Sequence, residues 1–323
     1  MTASAATPYR PRHEPVMLAE AVEALAVRPG GRYVDATVGL GGHAEAILEA
    51  SRPDGRLLAI DRDPQAIELA GHRLARFGND AAMLVQGNFR DIARICQDHG
   101  FAPVDGILFD LGVSSLQLDA PGRGFSFQRD ESLDMRMGSD AEETAADIIN
   151  TYDEQRLAAL IWRYGEERRS RAIARAITRR RPLHTTGELV NAIEQAVGQG
   201  RERQIHPATL TFQALRIAVN QELDSLEDAL DGARGLLAGV GSRLVVISFH
   251  SLEDRIVKHY MLKESSTCVC PPRTPACICG KVATLRLVTK RARKASPAEL
   301  ERNPRARSAR LRAAESIVER KVA

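Results

Sequence analysis

The sequence predicts an α/β fold: a doubly wound, Rossmann-like parallel sheet that carries an inserted, all-helical domain. Strand-like apolar runs alternate with helical patterns along the first third of the chain, which is typical of a parallel sheet with helices on both faces. The interval between Leu111 and Arg243 then far exceeds the roughly dozen residues that a parallel crossover needs. This excess predicts an insertion between the fourth and fifth strands.

Five runs are predicted as strands from their apolar content and from the turn residues that bound them. They are residues 32–37, 56–60, 82–86, 106–111 and 243–248. Nearly continuous apolar runs of this length are typical of parallel strands that are buried on both faces. Together they form the predicted central sheet.

Helical periodicity fills the long interval between the fourth and fifth strands. The predicted helices cover residues 141–150, 153–164, 166–179 and 187–197, and a fifth helix at about 207–223 leads back to the sheet. The expected division is a Rossmann-like domain of residues 1–136 and 211–323 and an inserted helical substrate-recognition domain of residues 137–210.

Composition and charge bound the class of protein. The chain has 323 residues and a formal net charge of only +3, so local clusters indicate partners better than the total charge does. No apolar run is long enough to span a membrane, and residues 1–13 lack a secretory hydrophobic core. These features predict a soluble, cytoplasmic protein.

Two clusters of basic residues favour a phosphate-bearing partner such as RNA. The first follows one face of a predicted helix and consists of Arg168, Arg171, Arg175 and Arg179, with Arg180 and Arg181 beyond it. The second occupies the tail at residues 290–312, a region that is expected to be low in order. A solvated helix face and a disordered tail are the alternative interpretations.

Four of the five cysteines are concentrated in one short segment, at Cys268, Cys270, Cys277 and Cys279. Four thiolates can enclose a zinc ion tetrahedrally, but two C-x-C pairs are tighter than the usual C-x-x-C spacing. The sequence therefore assigns no metal ligand, and a zinc site, free surface thiols and a redox-linked loop all stay open. Cys96 is expected to be a lone core residue.

A glycine-rich turn follows the first predicted strand, at Gly39, Gly41 and Gly42. Glycines at such a turn let the backbone approach a ligand closely, as nucleotide-cofactor loops do. Asp61 closes the second strand, where a carboxylate can accept hydrogen bonds from both hydroxyls of a ribose. The two features together predict a cofactor that contains adenosine.

Asp35 favours one such cofactor over another. It ends the first strand just before the glycines, where the amino-acid part of a methyl donor carries an ammonium, whereas a dinucleotide needs no anion beside its pyrophosphate. The sequence therefore favours S-adenosylmethionine over NAD, although the glycine pattern alone also fits dehydrogenases. A turn or helix-capping aspartate is the alternative for Asp35.

Several longer motifs follow one another in order along the chain. They are HEPVML at 13–18, FDLGVSSLQLD at 109–119, RGFSF at 123–127, LDMRM at 133–137, HPATLTFQALRIAVNQEL at 206–223 and SFHSLEDRIVK at 248–258. Together with the glycine turn, they resemble the bacterial ribosomal RNA small subunit methyltransferase H family from about His13 to the tail. The cysteine segment departs from the family pattern, and so does Leu116, where relatives often carry proline.

The resemblance implies a class I methyltransferase sheet with a helical insert. It also implies transfer of a methyl group from S-adenosylmethionine to the N4 amine of cytosine 1402 in 16S rRNA, within the small ribosomal subunit or its late precursor. The cofactor contacts that it implies are Gly41, Gly42, His43, Asp61, Phe89, Asp110 and Gln117. The oligomeric state stays open.

The reaction needs a hydrogen-bond acceptor for the cytosine amine, whose lone pair is delocalised into the ring. Asp110 ends the fourth strand and is the expected acceptor, with or without help from the Leu111 carbonyl. His250 is expected to be structural and not a base. A polar stripe of Thr209, Gln213, Arg216 and Asn220 either grips a nucleotide that has left its stack or is exposed surface.

Two rival functions belong to other classes. The first is an NAD-dependent oxidoreductase, which the glycine turn allows but Asp35 and the basic helix argue against. The second is a noncatalytic RNA-binding ribosome assembly factor that keeps a cofactor fold. Incorporation of methyl groups into RNA would distinguish an enzyme from such a factor.

Overall fold

The computed structural model describes residues 14–78, 80–198, 205–271, 274 and 276–319. No helix in this part of the chain is both long and apolar enough to cross a membrane. The expectations for residues 1–13 lie outside the described residues.

A mixed sheet forms the centre of the fold. Its strands are β1 (Arg32–Asp35), β2 (Arg56–Asp61), β3 (Ala82–Gln86), β4 (Gly106–Asp110), β5 (Arg243–Ser248), β6 (Leu285–Leu287) and β7 (Arg310–Ser316). Their order across the sheet is β3-β2-β1-β4-β5-β7-β6, with β1 to β5 parallel and β7 antiparallel to both β5 and β6. The five predicted strands are confirmed, and the arrangement is the class I methyltransferase fold that the resemblance implies.

Helices precede, connect and follow these strands. They are α1 (Leu18–Leu25), α2 (Gly42–Ala50), α3 (Pro64–Leu74), α4 (Ile92–Asp98), α5 (Ser115–Asp119), α6 (Ala145–Thr151), α7 (Glu154–Gly165), α8 (Ser170–Thr178), α9 (Thr186–Val197), α10 (Thr209–Asn220), α11 (Glu222–Leu236), α12 (Ser251–Glu264) and α13 (Pro297–Arg302). Short 3-10 turns occur at Ala75–Phe77, Phe89–Asp91 and Pro304–Ser308.

Both faces of the sheet are covered, because successive side chains of a strand point to opposite faces. On one face, Leu58 and Ile107 pack with residues of α4, α11 and α12. On the other face, Leu57 and Leu108 pack with residues of α1, α2 and α3. All four side chains are fully buried, which explains why the strands are apolar along their whole length.

The interval between β4 and β5 contains a helical part, α6 to α10, with a hydrophobic core of its own. Capping boxes at Thr144 and Thr185 begin α6 and α9. The core extends from Phe125 to Val219, beyond the predicted insert of 137–210 on both sides, because the chain before α6 and the end of α10 also pack into it. The predicted domain division stays a prediction.

Polar contacts fix the helical part against the carboxyl end of β2. Arg62 forms an ion pair with Asp140 at 2.8 Å and donates to the carbonyl oxygen of Asn220 at 2.9 Å. Arg123 donates to the buried carboxylate of Asp63 at 2.9 Å. The chain just after β2 therefore joins the sheet to the helical part.

The prediction of a poorly ordered, basic tail is wrong. Arg310–Ser316 is a strand inside the sheet, in which Leu311 and Ala313 are fully buried. The tail arginines pair with carboxylates of the same chain: Arg293 with Glu23, Arg302 with Glu14, Arg305 with Asp119, and Arg310 and Arg312 with Asp254. Basic and apolar residues alternate from Arg310 to Ala313, so that Leu311 and Ala313 are buried on one face while Arg310 and Arg312 reach Asp254 on the other.

Candidate active site

A cleft lies at the carboxyl ends of β1, β2 and β4, the edge at which open α/β sheets bind ligands. Its walls are formed by the three stretches that leave these strands: residues 36–40, 61–62 and 110–114. Residues 15–16 and Met137 lie at its borders. The helical part therefore reaches the cleft through the segment that leads into α6.

Glycines make the turn between β1 and α2 possible. Gly39 and Gly41 have φ values of 50° and 76°, in the left-handed region, which costs other residues about 1–2 kcal/mol. Gly41 does not itself line the cleft, whereas Gly42 does. A Cβ atom on Gly42 would lie 2.2 Å from Cγ of Pro15, so only glycine at this position lets residues 15–16 border the cleft.

Asp61 is held in place by this turn. Its Oδ2 accepts a hydrogen bond from the backbone N–H of Gly39 at 2.8 Å, and its Oδ1 accepts one from the N–H of Asp63 at 3.0 Å. Burial raises the pKa of Asp61 to about 6, although these N–H groups lower it. Each carboxylate oxygen has a second lone pair, so Asp61 can still accept hydrogen bonds from a ligand.

Asp35 ends β1 and is 1% exposed. Its Oδ1 accepts a hydrogen bond from the N–H of Thr37 at 3.2 Å, as a turn aspartate would. Its Oδ2 is buried and has no hydrogen-bond partner among the described residues, and burial raises the pKa of Asp35 to about 7. Because an unsatisfied buried oxygen is costly, Asp35 is suited to bind a cationic donor. The lining of the cleft begins at the next residue, Ala36.

Asp110 ends β4 and lines the cleft. Its backbone N–H donates to Oγ1 of Thr37 at 2.7 Å, and its Oδ1 is buried without a partner among the described residues. Burial, together with the negative charges of Asp35 and Glu253, raises the pKa of Asp110 well above its usual range. A positive charge in the cleft would lower this pKa again.

His43 lies between Val16 and Asp110. Its Nε2 lies 3.0 Å from the carbonyl oxygen of Val16, which can only accept, so Nε2 carries a hydrogen. Its Nδ1 lies 3.5 Å from Oδ2 of Asp110. His43 lines the cleft as predicted, and its two contacts also orient Asp110 and fix Val16.

Three acids therefore meet at one edge of the sheet, where Asp35 is buried and Asp61 and Asp110 are half-buried. Asp61 raises the pKa of Asp35, and Asp35 raises that of Asp110, so each carboxylate opposes ionisation of the next. Such a group stabilises a bound cation and repels a bound anion. The donor set thus fits a cofactor with an ammonium and a sulfonium better than one with a pyrophosphate.

Phe89 and Gln117 also line the cleft, where the resemblance expects them. The ring of Phe89 meets that of Phe109 edge to face, with centroids 5.9 Å apart. Oε1 of Gln117 accepts the N–H of Ser114 at 3.0 Å in the capping box that begins α5. Their roles toward a cofactor stay predictions, as do those of the other predicted contacts.

His250 has the structural role that was expected. Its Nδ1 accepts the N–H of Glu253 at 3.4 Å, which caps α12, and its Nε2 lies 3.1 Å from Oε1 of Glu253. Glu222, His250 and Glu253 lie close enough to share a metal ion. However, Glu222 already binds Arg216 through two contacts of 2.8 Å, so its carboxylate is engaged within the protein.

The polar stripe on α10 serves the inside of the protein. Asn220 donates to the carbonyl oxygen of Met135 at 2.7 Å and accepts the N–H of Met137 at 2.8 Å. Gln213 donates to the carbonyl oxygen of Tyr164 at 3.0 Å, and Arg216 binds Glu222. These side chains join α10 to its neighbours, so neither a nucleotide grip nor plain exposed surface describes them.

A second concavity lies in the helical part, between α7 and α8. Three of the four arginines of the predicted basic helix face line it, namely Arg168, Arg171 and Arg175. Trp162 on α7 also lines it and is 57% exposed. Arg181 is turned away and donates to carbonyl oxygens of Ile149 and Tyr152. An exposed indole among guanidinium groups suits single-stranded nucleic acid, whose bases stack on aromatic rings.

Some residues of these sites were missed by sequence reasoning. Trp162 is the only tryptophan in the chain. The sequence did contain a signal for it, because a large aromatic ring stands there on a helix among charged residues. Arg305, which lines the cleft, and Thr37, which binds Asp110, had no local signal. Both act through contacts between segments that are distant in sequence or through backbone geometry.

Comparisons with known proteins agree on one family. A family model described as the MraW methylase family matches residues 10–317. "Ribosomal RNA small subunit methyltransferase H" of Dehalococcoides mccartyi (strain BAV1) is 58% identical over 307 residues, which are 95% of this chain and 87% of that protein. The protein of the same name from Thermomicrobium roseum is 54% identical over 313 residues, 96% of this chain and 95% of its own.

Solved structures include distant likenesses. A putative rRNA-methylase from Clostridium thermocellum aligns over 94% of this chain and 100% of its own, with 11% sequence identity and a TM-score of 0.44.

We predict that Asp35→Asn stabilises the ligand-free protein increasingly as pH rises. In the native state Asp35 has a pKa of about 7, whereas in the unfolded state it is about 3.9. The native state then binds more protons than the unfolded state between these values, so the wild type loses stability as pH rises through them. The advantage of the variant should grow by about 2–3 kcal/mol between pH 5 and pH 8 in urea unfolding.

Asp98→Asn is the matched control, because its side chain is 58% exposed on α4. Its difference from the wild type should stay constant over the same pH range. A constant difference for Asp35→Asn as well would show that Asp35 does not carry the buried charge described here.

Proposed function

The chain belongs to the MraW methylase family, and from this premise we propose that it is an rRNA methyltransferase of the small ribosomal subunit. We propose further that it transfers a methyl group from S-adenosylmethionine to the N4 amine of cytosine 1402 in 16S rRNA. The names of the relatives support the first statement, and the resemblance of the sequence motifs supports the second. The partner is then the small subunit or its late precursor, and the location is the cytoplasm.

One observation carries this proposal: the cluster of three weakly exposed acids beside the glycine turn. Asp35, Asp61 and Asp110 raise the cost of each other's charge, and two of their oxygens lack partners among the described residues. Two positive charges in the cleft would relieve this cost. The rival dinucleotide cofactor would add the negative charge of a pyrophosphate, so the acids argue against an oxidoreductase.

The residues at the cleft divide the binding of S-adenosylmethionine among themselves. Asp35 accepts the ammonium of the methionine part, Asp61 accepts the ribose hydroxyls, and Phe89 stacks on the adenine. Gly42 and Gln117 shape the wall. When bound, S-adenosylmethionine supplies a methyl group that is already activated by the positive charge of its sulfur.

Asp110 prepares the acceptor amine. The lone pair of a cytosine amine is delocalised into the ring, and a carboxylate that accepts one N–H of the amine concentrates electron density on the nitrogen. A cation in the cleft lowers the pKa of Asp110 and releases it as the carboxylate that this role needs. His43 holds the carboxyl in orientation and shares the proton that Asp110 takes up.

The groove between α7 and α8 is the proposed RNA-binding surface. Arg168, Arg171 and Arg175 would neutralise phosphates, and the exposed ring of Trp162 would stack on an unpaired base. An RNA base must leave its stack to reach a methyl donor inside a cleft, so a second surface that holds the flanking strand supports the reaction. A noncatalytic assembly factor would need this groove but not the acids.

We predict that Asp110→Asn lowers the methylation rate by about 10²- to 10⁴-fold, the range typical for loss of a proton acceptor. An amide is isosteric with the carboxyl but cannot take up the proton. Single-turnover incorporation of labelled methyl into small ribosomal subunits measures this step. Unfolding by heat should show that the variant remains folded.

Asp98→Asn again serves as the control and should retain the wild-type rate. A near-normal rate for Asp110→Asn would remove Asp110 from the role of acceptor. Wild-type protein that incorporates no methyl into any RNA would favour the assembly-factor alternative.

We predict that a variant with Gln at positions 168, 171 and 175 binds 16S rRNA with a weaker dependence on salt. Each phosphate contact that is lost reduces the slope of log K against log salt by about 0.7 for single strands, so three contacts reduce it by about 2. Filter binding at several salt concentrations measures the slope.

The matched control replaces three other exposed arginines, Arg52, Arg94 and Arg286, with Gln; their side chains are 55%, 66% and 70% exposed. It removes the same net charge and should leave the slope unchanged if the groove is the interface. Equal slopes for the two triple variants would assign the groove arginines to solvent.

A further inference from the structure

The four clustered cysteines converge on one point in space. Cys268, Cys270, Cys277 and Cys279 each offer a sulfur, and all four sulfurs lie within 4.8 Å of one another. The Sγ of Cys277 lies 3.5 Å from that of Cys268, 3.5 Å from that of Cys279 and 3.9 Å from that of Cys270. A disulfide needs about 2.05 Å between sulfurs, so none of these pairs is bonded.

These separations match a tetrahedral tetrathiolate. Zinc–sulfur bonds of about 2.3 Å at tetrahedral angles place the sulfurs about 3.8 Å apart. The observed separations of 3.5–4.0 Å lie on both sides of that value. The tight C-x-C spacing therefore does not prevent the geometry, because two such pairs face each other across the loop.

The surrounding backbone favours thiolates. The N–H of Val269 lies 3.5 Å from Sγ of Cys279, and the N–H of Cys270 lies 3.4 Å from Sγ of Cys268. Metal binding displaces the protons of the four thiols.

The loop that carries the cysteines has no hydrophobic core. None of its described residues between 265 and 283 is buried, and Val269, Ile278 and Val282 are 51%, 87% and 73% exposed. Its base is closed on Glu264, which accepts hydrogen bonds from Lys281 and Thr284 at 2.7 Å each. Small segments without a core commonly depend on a structural metal.

We propose that Cys268, Cys270, Cys277 and Cys279 bind a structural Zn²⁺ ion that folds the loop between α12 and β6. The four ligands leave no open coordination position, as in other structural zinc sites. α12 begins beside the cleft at Ser251 and ends at Glu264, a length of about 21 Å at 1.5 Å per residue. The zinc site is therefore remote from the proposed methyl-transfer site and acts on the loop alone.

Metal analysis of the purified, untagged full-length chain tests this proposal. Mass spectrometry of the metal content should find about one zinc ion per chain, as expected for a closed four-thiolate site. The double variant Cys277→Ser/Cys279→Ser should contain almost none. Cys96→Ala removes the fifth cysteine, which is buried in the core, and should keep the zinc.

A second measurement keeps the test independent of folding defects in the variants. Wild-type protein reconstituted with Co²⁺ should show the absorption bands of a tetrahedral tetrathiolate, and a chelator should then expose residues 265–283 to protease. Binding of S-adenosylmethionine should persist after zinc removal, so failure of the zinc proposal and failure of the proposed function can be told apart.

Two results would overturn the proposal. One is a wild-type chain that remains free of metal after incubation with Zn²⁺ while the four thiols of the loop react with a thiol reagent. The other is intact-mass and peptide analysis that finds disulfides among the four cysteines in protein that was purified without oxidant, which would assign the loop to redox chemistry instead.

Discussion

The proposed site depends on one constraint: three carboxyl groups, of which Asp35 is buried and Asp61 and Asp110 are half-buried, lie together at one edge of the sheet. Asp35, Asp61 and Asp110 end three neighbouring strands, and among the described residues no basic side chain forms an ion pair with Asp35 or Asp61. Burial raises the pKa of each, so the ligand-free protein holds a site that favours positive charge. A methyl donor with two cationic groups supplies positive charge beside these acids.

Contacts from the surrounding elements hold the segments that border this edge of the sheet in place. The glycine turn directs an N–H at Asp61, and the C-terminal segment holds the chain before α1, because Glu299 accepts the N–H of Met17 at 2.7 Å. Arg62 and Arg123 fasten the helical part to the same edge. The proposed cofactor cleft and the helical part that carries the proposed RNA-binding groove are therefore joined through residues next to Asp61.

Sequence reasoning was most successful where the signal is local. The five parallel strands, the helical interval and the acids at strand ends follow from apolar runs and turn residues. It failed for β7, because the arginines between its apolar residues form ion pairs with Asp254, which is distant in sequence. It also misjudged the stripe on α10, because a polar helix face looks the same whether its partners are water, a nucleotide or a carbonyl such as that of Met135.

The affinity for S-adenosylmethionine as a function of pH tests the central claim most directly, by calorimetry on the wild-type chain between pH 5.5 and 7.5. Asp35 and Asp61, with pKa values of about 7 and about 6, become carboxylates in this window and then attract the cation. We expect the affinity to rise by at least about tenfold, with release of protons on binding. An affinity that stays constant or falls as pH rises would contradict the account.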